Sequence, residues 1–186
     1  MITNKIKNEI KKQLNTIFKE CDKRNIKSWY HPMYIGSGAF RTVYKITVNN
    51  IDYAVKVGKD YDDENINELK FYNRIKRNHP SLKNYLLPIL GTFKHKTDGL
   101  VLITPFLKIN CVENIKNLSV FNRTRLKVIK MFIDDVHKFN IGMYNKYLVC
   151  LDYNIVDDMP EAIPHAKEYH KKISNKFKNQ YRKVSA

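Results

Sequence analysis

Apolar residues recur at helical spacing over the first part of the chain. They are separated by four, four, four, three and four positions, and they comprise Ile2, Ile6, Ile10, Leu14, Ile17 and Cys21. This period places the six side chains on one face of an α-helix, with lysines on the other faces. We therefore predict that residues 1–30 contain a helix that packs on the main body of the protein. Binding of this basic amphipathic helix to a membrane or to a partner is the alternative.

From His31 onwards the pattern changes to short apolar segments separated by turn residues. The segments MYIGSGAF, TVYKITV and IDYAVKV predict three strands. A glycine turn joins the first two strands, and Asn49-Asn50, which tolerates positive φ, joins the second to the third.

A helix and a second hairpin follow. Asp62 and Asp63 are candidate caps of a helix whose apolar positions are Ile66, Leu69, Tyr72 and Ile75. Asp98-Gly99 then separates two strand-like segments, LLPILGTFKHK and LVLITPF, which is a strong hairpin signal. This order of elements predicts an α+β fold in which residues 31–107 form a five-stranded antiparallel sheet with one helix.

The chain after Phe106 is mostly helical. A core-facing stripe is formed by Leu126, Ile129, Phe132 and Ile133. An irregular segment, DDVHKFNIGMYNK, separates this helix from a short apolar strand, YLVCLDY. We expect a reduced, mostly helical second domain in residues 108–164 and a helical or frayed basic tail in residues 165–186.

The composition favours a folded intracellular protein. Hydrophobic residues make up 43% of the 186 residues, which is enough for a core and argues against wholesale disorder. The three cysteines, Cys21, Cys111 and Cys150, lie far apart and include no C-x-x-C pair. A disulfide scaffold or a zinc site is therefore not expected, and a reducing compartment is. No apolar run is long enough to span a bilayer, and the N-terminal segment lacks a signal-peptide core.

The net charge of +16 favours anionic partners such as nucleotides, nucleic acids or acidic protein surfaces. Residues 165–186 carry seven basic residues against one acidic residue, Glu168. The basic residues are Lys167, Lys171, Lys172, Lys176, Lys178, Arg182 and Lys183. Such a tail predicts weak, salt-sensitive binding to nucleic acid phosphates, and a solvated basic helix is the alternative.

Two glycines and one lysine indicate a phosphate site in the predicted sheet. Gly36 and Gly38 fall in a turn between strands, where backbone N–H groups can approach a phosphate closely. Lys56 lies on an apolar strand and is costly to bury unless a carboxylate pairs with it. Glu68 on the following helix is the first candidate for this pairing and Glu64 is the second. The alternative places Lys56 on the solvent face of an edge strand.

Three oxygen-bearing side chains predict a Mg²⁺ site in the second half. Asp135, Asn140 and Asp152 stand five and then twelve residues apart, and Asp152 follows the apolar LVCL strand. Carboxylate and amide oxygens suit Mg²⁺, which also binds phosphates. A turn-forming role for Asp152 is the alternative.

Taken in order, these motifs resemble the protein kinase-like superfamily. IGSGAFRTVYK is similar to the nucleotide-covering loop, YAVK to the V-A-I-K motif, and NELKFY to the helix whose glutamate pairs with that lysine. LVLITPFL is similar to the strand leading into the hinge, DVHKFNIG to D-L-x-x-x-N-I, and CLDYN to the segment that begins with D-F-G. The match covers most of residues 33–156, and the shortened second half resembles compact Ser/Thr protein kinases encoded by phages and other viruses.

The resemblance implies phosphoryl transfer from ATP, with Mg²⁺, to Ser or Thr of a protein in the host cytoplasm. The implied catalytic residues are Lys56 and Asp135, and the implied Mg²⁺ ligands are Asn140 and Asp152. Residues 104–107 would receive the adenine. The implied nucleotide-binding residues are Ile35, Gly36, Ser37, Gly38, Val43, Ala54, Lys56, Glu68, Ile103, Thr104 and Phe106.

The sequence departs from the family pattern, and the departures leave other functions open. Arg41 replaces the third glycine of the loop, where it would stiffen the loop or reach for a phosphate. The substrate-binding helices of the large lobe are missing. One alternative is a pseudokinase that binds and modulates a host kinase or its substrate. Another is a small-molecule phosphotransferase, because His137 follows Asp135 by two residues.

A second register of the catalytic segment is also open. VIKMFIDDVHKFNIG reads as one long helix that ends at Val136-His137, with Asn145 in the position of the base. A protein with that register would lack a catalytic base. We prefer Asp135, because its interval to Asp152 then matches that of the family.

Overall fold

The computed structural model describes residues 1–25, 27, 30–37, 40–58, 63–95, 99–107, 118–133, 136, 140–153 and 162–184. In chain order the elements are α1 (Asn4–Arg24), β1 (Tyr34–Ser37), β2 (Arg41–Val48), β3 (Ile51–Gly58), α2 (Glu64–Asn78), a short 3₁₀ helix (Lys83–Tyr85), β4 (Gly91–His95), β5 (Gly99–Pro105), α3 (Val120–Phe132), β6 (Ile141–Tyr144), β7 (Tyr147–Cys150) and α4 (Ala162–Val184). In α4 the side chains of residues 163–175 are described. No helix in the described part of the chain combines the length and the apolar character needed to cross a membrane.

The chain divides into two compact units. The first unit consists of Met1–Leu69 and Pro88–Leu107, and the second consists of Lys70–Leu87 and Lys108–Ala186. The division falls within α2, whose first six residues belong to the first unit.

The first unit contains an antiparallel sheet whose five described strands are ordered β1-β2-β3-β5-β4. This arrangement confirms the predicted α+β fold with a five-stranded antiparallel sheet. Asn49 and Asn50 join β2 to β3 with φ values of 52° and 61°. Gly99 opens β5 with a φ of 65°, a conformation that glycine adopts without strain. In this strand order β3 lies in the middle of the sheet, with β2 on one side and β5 on the other.

Helix α1 packs its apolar stripe against one face of this sheet. Thr3 caps the helix through its hydroxyl, which accepts a hydrogen bond of 3.3 Å from the backbone N–H of Ile6. The buried core that α1 shares with the sheet comprises Ile10, Leu14, Ile17, Cys21, Tyr44, Ile46, Val48, Tyr53, Val55, Val57, Val101 and Ile103. Burial of one large apolar side chain of this kind contributes about 1.5–3 kcal/mol. The predicted packing of the helix on the main body is therefore confirmed.

In the second unit, α3 ends where an extended backbone begins. Ser119 caps its N-terminus by accepting a hydrogen bond of 3.2 Å from the N–H of Asn122. The last helical residue is Phe132, and Ile133 has φ −129° and ψ 122°. The alternative prediction of one long helix that continues to Val136-His137 is therefore wrong.

The second part of the segment predicted to be irregular forms a strand. Residues 141–144 are β6, which pairs with β7 in an antiparallel hairpin. Asn145 and Lys146 make the connecting turn with φ values of 48° and 69°. A four-residue strand is too short for a clear alternating pattern, and its formation depends on the hydrogen-bonding partners that β7 supplies. Asn145, which the alternative register places in the position of the catalytic base, lies in this turn.

Candidate functional site

Lys56 is buried in the middle of the five-stranded sheet. It lies on β3, opposite Val43 of β2 and Leu102 of β5, and its exposed fraction is 6%. Its Nζ lies 2.8 Å from Oε1 and 2.9 Å from Oε2 of Glu68. The predicted pairing with Glu68 is thus present, and the alternative of a solvent-facing lysine on an edge strand is wrong. The position is central, so the ammonium group is removed from water and held by a carboxylate.

Glu68 is fully buried and is shared between two cations. It lies in the second turn of α2, and its Oε2 also accepts a hydrogen bond from Nη1 of Arg41. Arg41 begins β2 and is 6% exposed. Its guanidinium is directed towards α2, where Nη1 also lies 3.4 Å from Oδ1 of Asn65. The arginine that replaces the third loop glycine therefore contacts the same carboxylate as Lys56.

Asn65 fixes the beginning of α2 against the sheet. Its Nδ2 donates hydrogen bonds to the backbone carbonyl of Lys56, at 3.1 Å, and to that of Leu100, at 2.7 Å. Its exposed fraction is 1%. Asn65 and Glu68 are three residues apart and therefore lie on the same face of the helix. Sequence reasoning missed Asn65 and the orientation of Arg41, although two polar residues at this spacing on a buried helix face were a usable signal.

The side chains on the Lys56 side of the sheet form a surface that we call the lysine face. Residues directly opposite each other in an antiparallel pair share a face, and alternate residues along a strand do too. By these rules the lysine face includes Gly36, Arg41, Val43, Lys45, Ala54, Lys56, Leu102 and Thr104. Val43 and Ala54 are half-buried, and Thr104 is buried with its hydroxyl 3.5 Å from the carbonyl of Ala54. Six of the predicted nucleotide-binding residues, counting Glu68 above it, therefore gather on or over one face.

Ile103 does not belong to this surface. It is completely buried in the core that the opposite face of the sheet shares with α1. Alternation along β5 explains the difference, because Ile103 lies between Leu102 and Thr104. Of Ile103, one of the predicted nucleotide-binding residues, only the backbone therefore lies at the lysine face.

Gly36 leaves open space on the lysine face. A Cβ atom built at Gly36 would meet no heavy atom within 4 Å, and the residue does not have positive φ. Neither packing nor backbone conformation therefore requires glycine there. Ser37 ends β1, and its hydroxyl donates a hydrogen bond of 3.1 Å to the carbonyl of Arg41. Gly38, the second predicted loop glycine, lies outside the described residues.

Two further predicted nucleotide-binding residues, Ile35 and Phe106, lie near the ends of β1 and β5. Ile35 is half-buried in β1. Phe106 follows β5, and its N–H donates a hydrogen bond of 3.2 Å to the carbonyl of Asp52. The Nζ of Lys45 lies 5.1 Å from the centre of the Phe106 ring. The cation–π contact with β2 and the backbone bond to β3 hold the segment after β5 against these two strands.

In the second unit, two of the three predicted Mg²⁺ ligands lie at the open end of the β6–β7 hairpin. The carbonyl of Asn140 accepts a hydrogen bond of 2.7 Å from the N–H of Leu151. Asp152 follows directly, and its carbonyl accepts a hydrogen bond of 3.2 Å from Sγ of Cys150. The hairpin thus brings together two positions that are twelve residues apart in the sequence. Their amide and carboxylate oxygens are donors that fit Mg²⁺.

The third predicted ligand, Asp135, lies outside the described residues, as does His137. Within the described ranges, which exclude residues 134–135 and 137–139, no group of three or more His, Cys, Asp or Glu side chains is arranged to hold a metal ion.

A second polar cluster, which sequence reasoning did not reveal, surrounds Arg125 in the second unit. Arg125 is buried on α3 and donates hydrogen bonds to the carbonyls of Leu148, at 2.8 Å from Nε, and Asn84. Its guanidinium lies 4.2 Å from the centre of the Tyr85 ring. The hydroxyl of Tyr85 in turn lies 2.6 Å from Nδ1 of His170 on α4. Burial, with the nearby Arg125 charge as a smaller cause, lowers the pKa of His170 below its ordinary value.

Neither a family model nor a curated protein matches this chain.

Proposed function

We propose that this chain binds ATP on the lysine face and transfers its γ-phosphoryl group to Ser or Thr of a protein, as a compact kinase of the kind found in viruses. The buried ion pair between Lys56 and Glu68 carries the proposal, since both oxygens of Glu68 lie within 2.9 Å of Nζ. The lysine would contact the α- and β-phosphates, and the glutamate would hold it in place.

Stability alone does not account for this ion pair. Desolvation makes a buried lysine and a buried glutamate costly, and replacing such a pair by apolar residues is often neutral or stabilising. Lys56 and Glu68 are 6% and 0% exposed. A cation held at a fixed point beside a partly exposed surface is suited to binding an anion. Function is therefore the better explanation for keeping both charges at this position.

The remainder of the lysine face suits a nucleotide. The space over Gly36 allows a ligand to approach the backbone of β1 closely. Half-buried Val43 and Ala54 offer apolar contact to a flat base. The end of β5, where Thr104 is buried, and the segment that follows it would provide backbone hydrogen bonds to the adenine.

In the proposed reaction Asp135 is the base for the substrate hydroxyl, and Asn140 and Asp152 hold Mg²⁺. When bound, Mg²⁺ would neutralise charge on the transferring phosphoryl group. The hydrogen bond from the N–H of Leu151 to the carbonyl of Asn140 supports this ligand pair, because it fixes the distance between the backbone segments that carry Asn140 and Asp152. Lys56 and Mg²⁺ would then act by positioning and charge stabilisation, which supply most of the catalysis in phosphoryl transfer.

The first experiment measures ATP binding and transfer separately in the full chain. Titration calorimetry with ATP and Mg²⁺ compares wild type with Lys56→Met, and Lys70→Met serves as the control because Lys70 is exposed on α2. We expect Lys56→Met to weaken ATP binding at least tenfold and Lys70→Met to leave it unchanged. Equal affinity in wild type and Lys56→Met would refute the assignment of the lysine face as the ATP site.

Transfer of label from γ-labelled ATP to a generic protein substrate tests the chemistry. Asp135→Ala and Asp152→Ala should each lower the rate by about 10²-fold or more, the scale of losing one electrostatic contact to a transition state. Binding of ATP without transfer by wild type would make the protein a pseudokinase. Transfer to aminoglycosides or sugars but not to protein would instead identify a small-molecule phosphotransferase.

A further inference from the structure

The outward side of α1 carries an unusually regular row of lysines. We propose that this row binds the phosphate backbone of duplex nucleic acid without reading its sequence. The row comprises Lys5, Lys12, Lys19 and Lys23, all of which are exposed. The inference concerns the opposite side of the sheet from the lysine face and is independent of the proposed kinase activity.

Helix geometry places the row directly opposite the buried stripe. Successive residues of an α-helix are rotated by about 100°, so the four lysines fall within an arc of about 40°. The centre of this arc lies about 165° from the centre of the buried stripe formed by Ile10, Leu14, Ile17 and Cys21. Because that stripe is fixed in the core, the lysines are presented outwards on a rigid support. At about 1.5 Å per residue, Lys5, Lys12 and Lys19 are spaced by about 10.5 Å, and the row extends over about 27 Å.

A shallow concavity of about 470 Å³ accompanies the row. Its lining residues are Asn8, Lys11, Lys12, Asn15, Thr16 and Lys19. The concavity lies between two ridges of side chains four residues apart, 8–12–16 and 11–15–19. Every lining side chain carries a hydrogen-bond donor, although the Thr16 hydroxyl already donates to the carbonyl of Lys12, and none carries a carboxylate. Such a surface favours phosphate oxygens over a cationic or apolar ligand.

Two of the acidic residues of α1 are directed away from the row, towards the flank of the helix. Glu9 accepts a hydrogen bond of 3.2 Å from the side-chain amide of Gln13, which also donates to the carbonyl of Thr47 on β2. Glu20 lies 3.2 Å from Nε2 of His31. Both carboxylates therefore lie on the side that borders the sheet and the following segment. The third acidic residue of α1, Asp22, is exposed near the C-terminal end of the row, where the four lysines outnumber it.

The observations favour a duplex over a membrane or a single strand. Helices that lie on a bilayer insert their apolar face, and the apolar face of α1 is already buried in the core. Within the described residues, none of the exposed large apolar side chains belongs to α1. The row also contains no aromatic ring on which an unpaired base could stack. Contact with two rows of phosphates across a groove, about 12 Å wide in B-DNA, matches the spacing of the lysines.

The test measures fluorescence anisotropy of labelled 24-base-pair DNA and RNA duplexes with the full chain between 50 and 200 mM salt. The test variant is Lys5→Gln/Lys12→Gln/Lys19→Gln. Its control is Lys76→Gln/Lys127→Gln/Lys130→Gln, which removes the same charge from exposed positions on α2 and α3. A third variant, with arginine at positions 5, 12 and 19, retains the charge. Circular dichroism melting checks that all variants are folded.

We expect wild type to bind at least one duplex and the test variant to bind at least tenfold more weakly at 100 mM salt. The plot of log K against log salt should become less steep, with the magnitude of its slope smaller by about 2.7, because each lost phosphate contact reduces that magnitude by about 0.9. The arginine variant should keep both affinity and slope. Comparison of the two duplexes shows whether DNA or RNA is preferred.

Three results would overturn the proposal. The first is an equal loss in the control variant, which would assign binding to overall charge. The second is failure of wild type to bind either duplex at 50 mM salt. The third is binding to vesicles of anionic lipid that depends on the row while duplex binding does not.

Discussion

The Glu68→Gln substitution tests whether one carboxylate holds two buried cations together. The glutamine side chain would retain nearly the same shape and a carbonyl oxygen, but not the negative charge. Lys56 and Arg41, each 6% exposed, would then remain close to each other without the carboxylate between them. We expect a large loss of stability, because charged groups at this depth are poorly screened by water.

The magnitude follows from the geometry. Removing one partner of a buried ion pair costs about 3–5 kcal/mol. Both cations contact the same oxygen, so their charges are separated by roughly 4–5 Å and repel by about 3–4 kcal/mol at an effective dielectric constant of 20. These two figures describe the same interaction and are not added. The expected loss is therefore about 3–5 kcal/mol, against about 5–15 kcal/mol for the total stability of a typical domain.

Urea unfolding followed by circular dichroism at 222 nm measures the loss as a change in the extrapolated free energy of unfolding. Glu64→Gln is the matched control, because Glu64 lies one turn earlier on α2 and is only partly buried. It should cost less than about 1 kcal/mol. The combined variant Arg41→Met/Lys56→Met/Glu68→Leu should recover stability to within about 2 kcal/mol of wild type while losing ATP binding. Equal costs for Glu68→Gln and Glu64→Gln would refute the reasoning.

Three further predictions concern other parts of the chain. Gly36→Ala should leave the melting temperature unchanged, because a Cβ at this position would meet no heavy atom within 4 Å. The same substitution should weaken ATP binding measured by calorimetry. A lower melting temperature would show that the fold itself needs the glycine. Burial lowers the pKa of His170 in the folded chain. As the pH falls through the ordinary histidine range, the unfolded chain therefore binds more protons than the folded chain, and the free energy of unfolding decreases. The melting temperature should therefore decrease as the pH is lowered from 7.5 to 5.5, and it should decrease less steeply in His170→Gln than in wild type. Identical pH profiles for the two proteins would contradict the lowered pKa of His170. Arg125→Lys should lower the free energy of unfolding in urea by about 2 kcal/mol, because lysine cannot direct two fixed donors at the carbonyls of Leu148 and Asn84. A decrease of less than about 0.5 kcal/mol would contradict this prediction.

Local sequence signals were sufficient to predict the elements of the first unit. Asn49-Asn50 and Gly99 mark two of its turns, and both are found with positive φ. The apolar period of α1 correctly predicted the buried side of that helix. These features depend on residues that are close together in the sequence, and the pattern of apolar and polar residues indicates such short-range preferences. Strand β6 was missed because its formation depends on pairing with β7 rather than on its own four residues.

The candidate site was predictable where it rests on the cost of burying charge. A lysine on an apolar strand requires a carboxylate, and Glu68 on the next helix is at the right distance along the chain to supply it. The resemblance assigned Ile103 to the site without fixing which face of β5 its side chain occupies, and the side chain lies in the core. Alternation from Lys56 through its partner Leu102 would have placed Ile103 on the opposite face.

Arg41 shows why the rest of the site needed the three-dimensional structure. In the register of β2 and β3, Arg41 lies opposite Gly58, which has no side chain. The guanidinium can therefore extend across β3 to reach Glu68 and Asn65. Neither the register nor the position of α2 can be read from the residues around Arg41. Arg41 thus has a structural role: it joins β2 to the same carboxylate that holds Lys56.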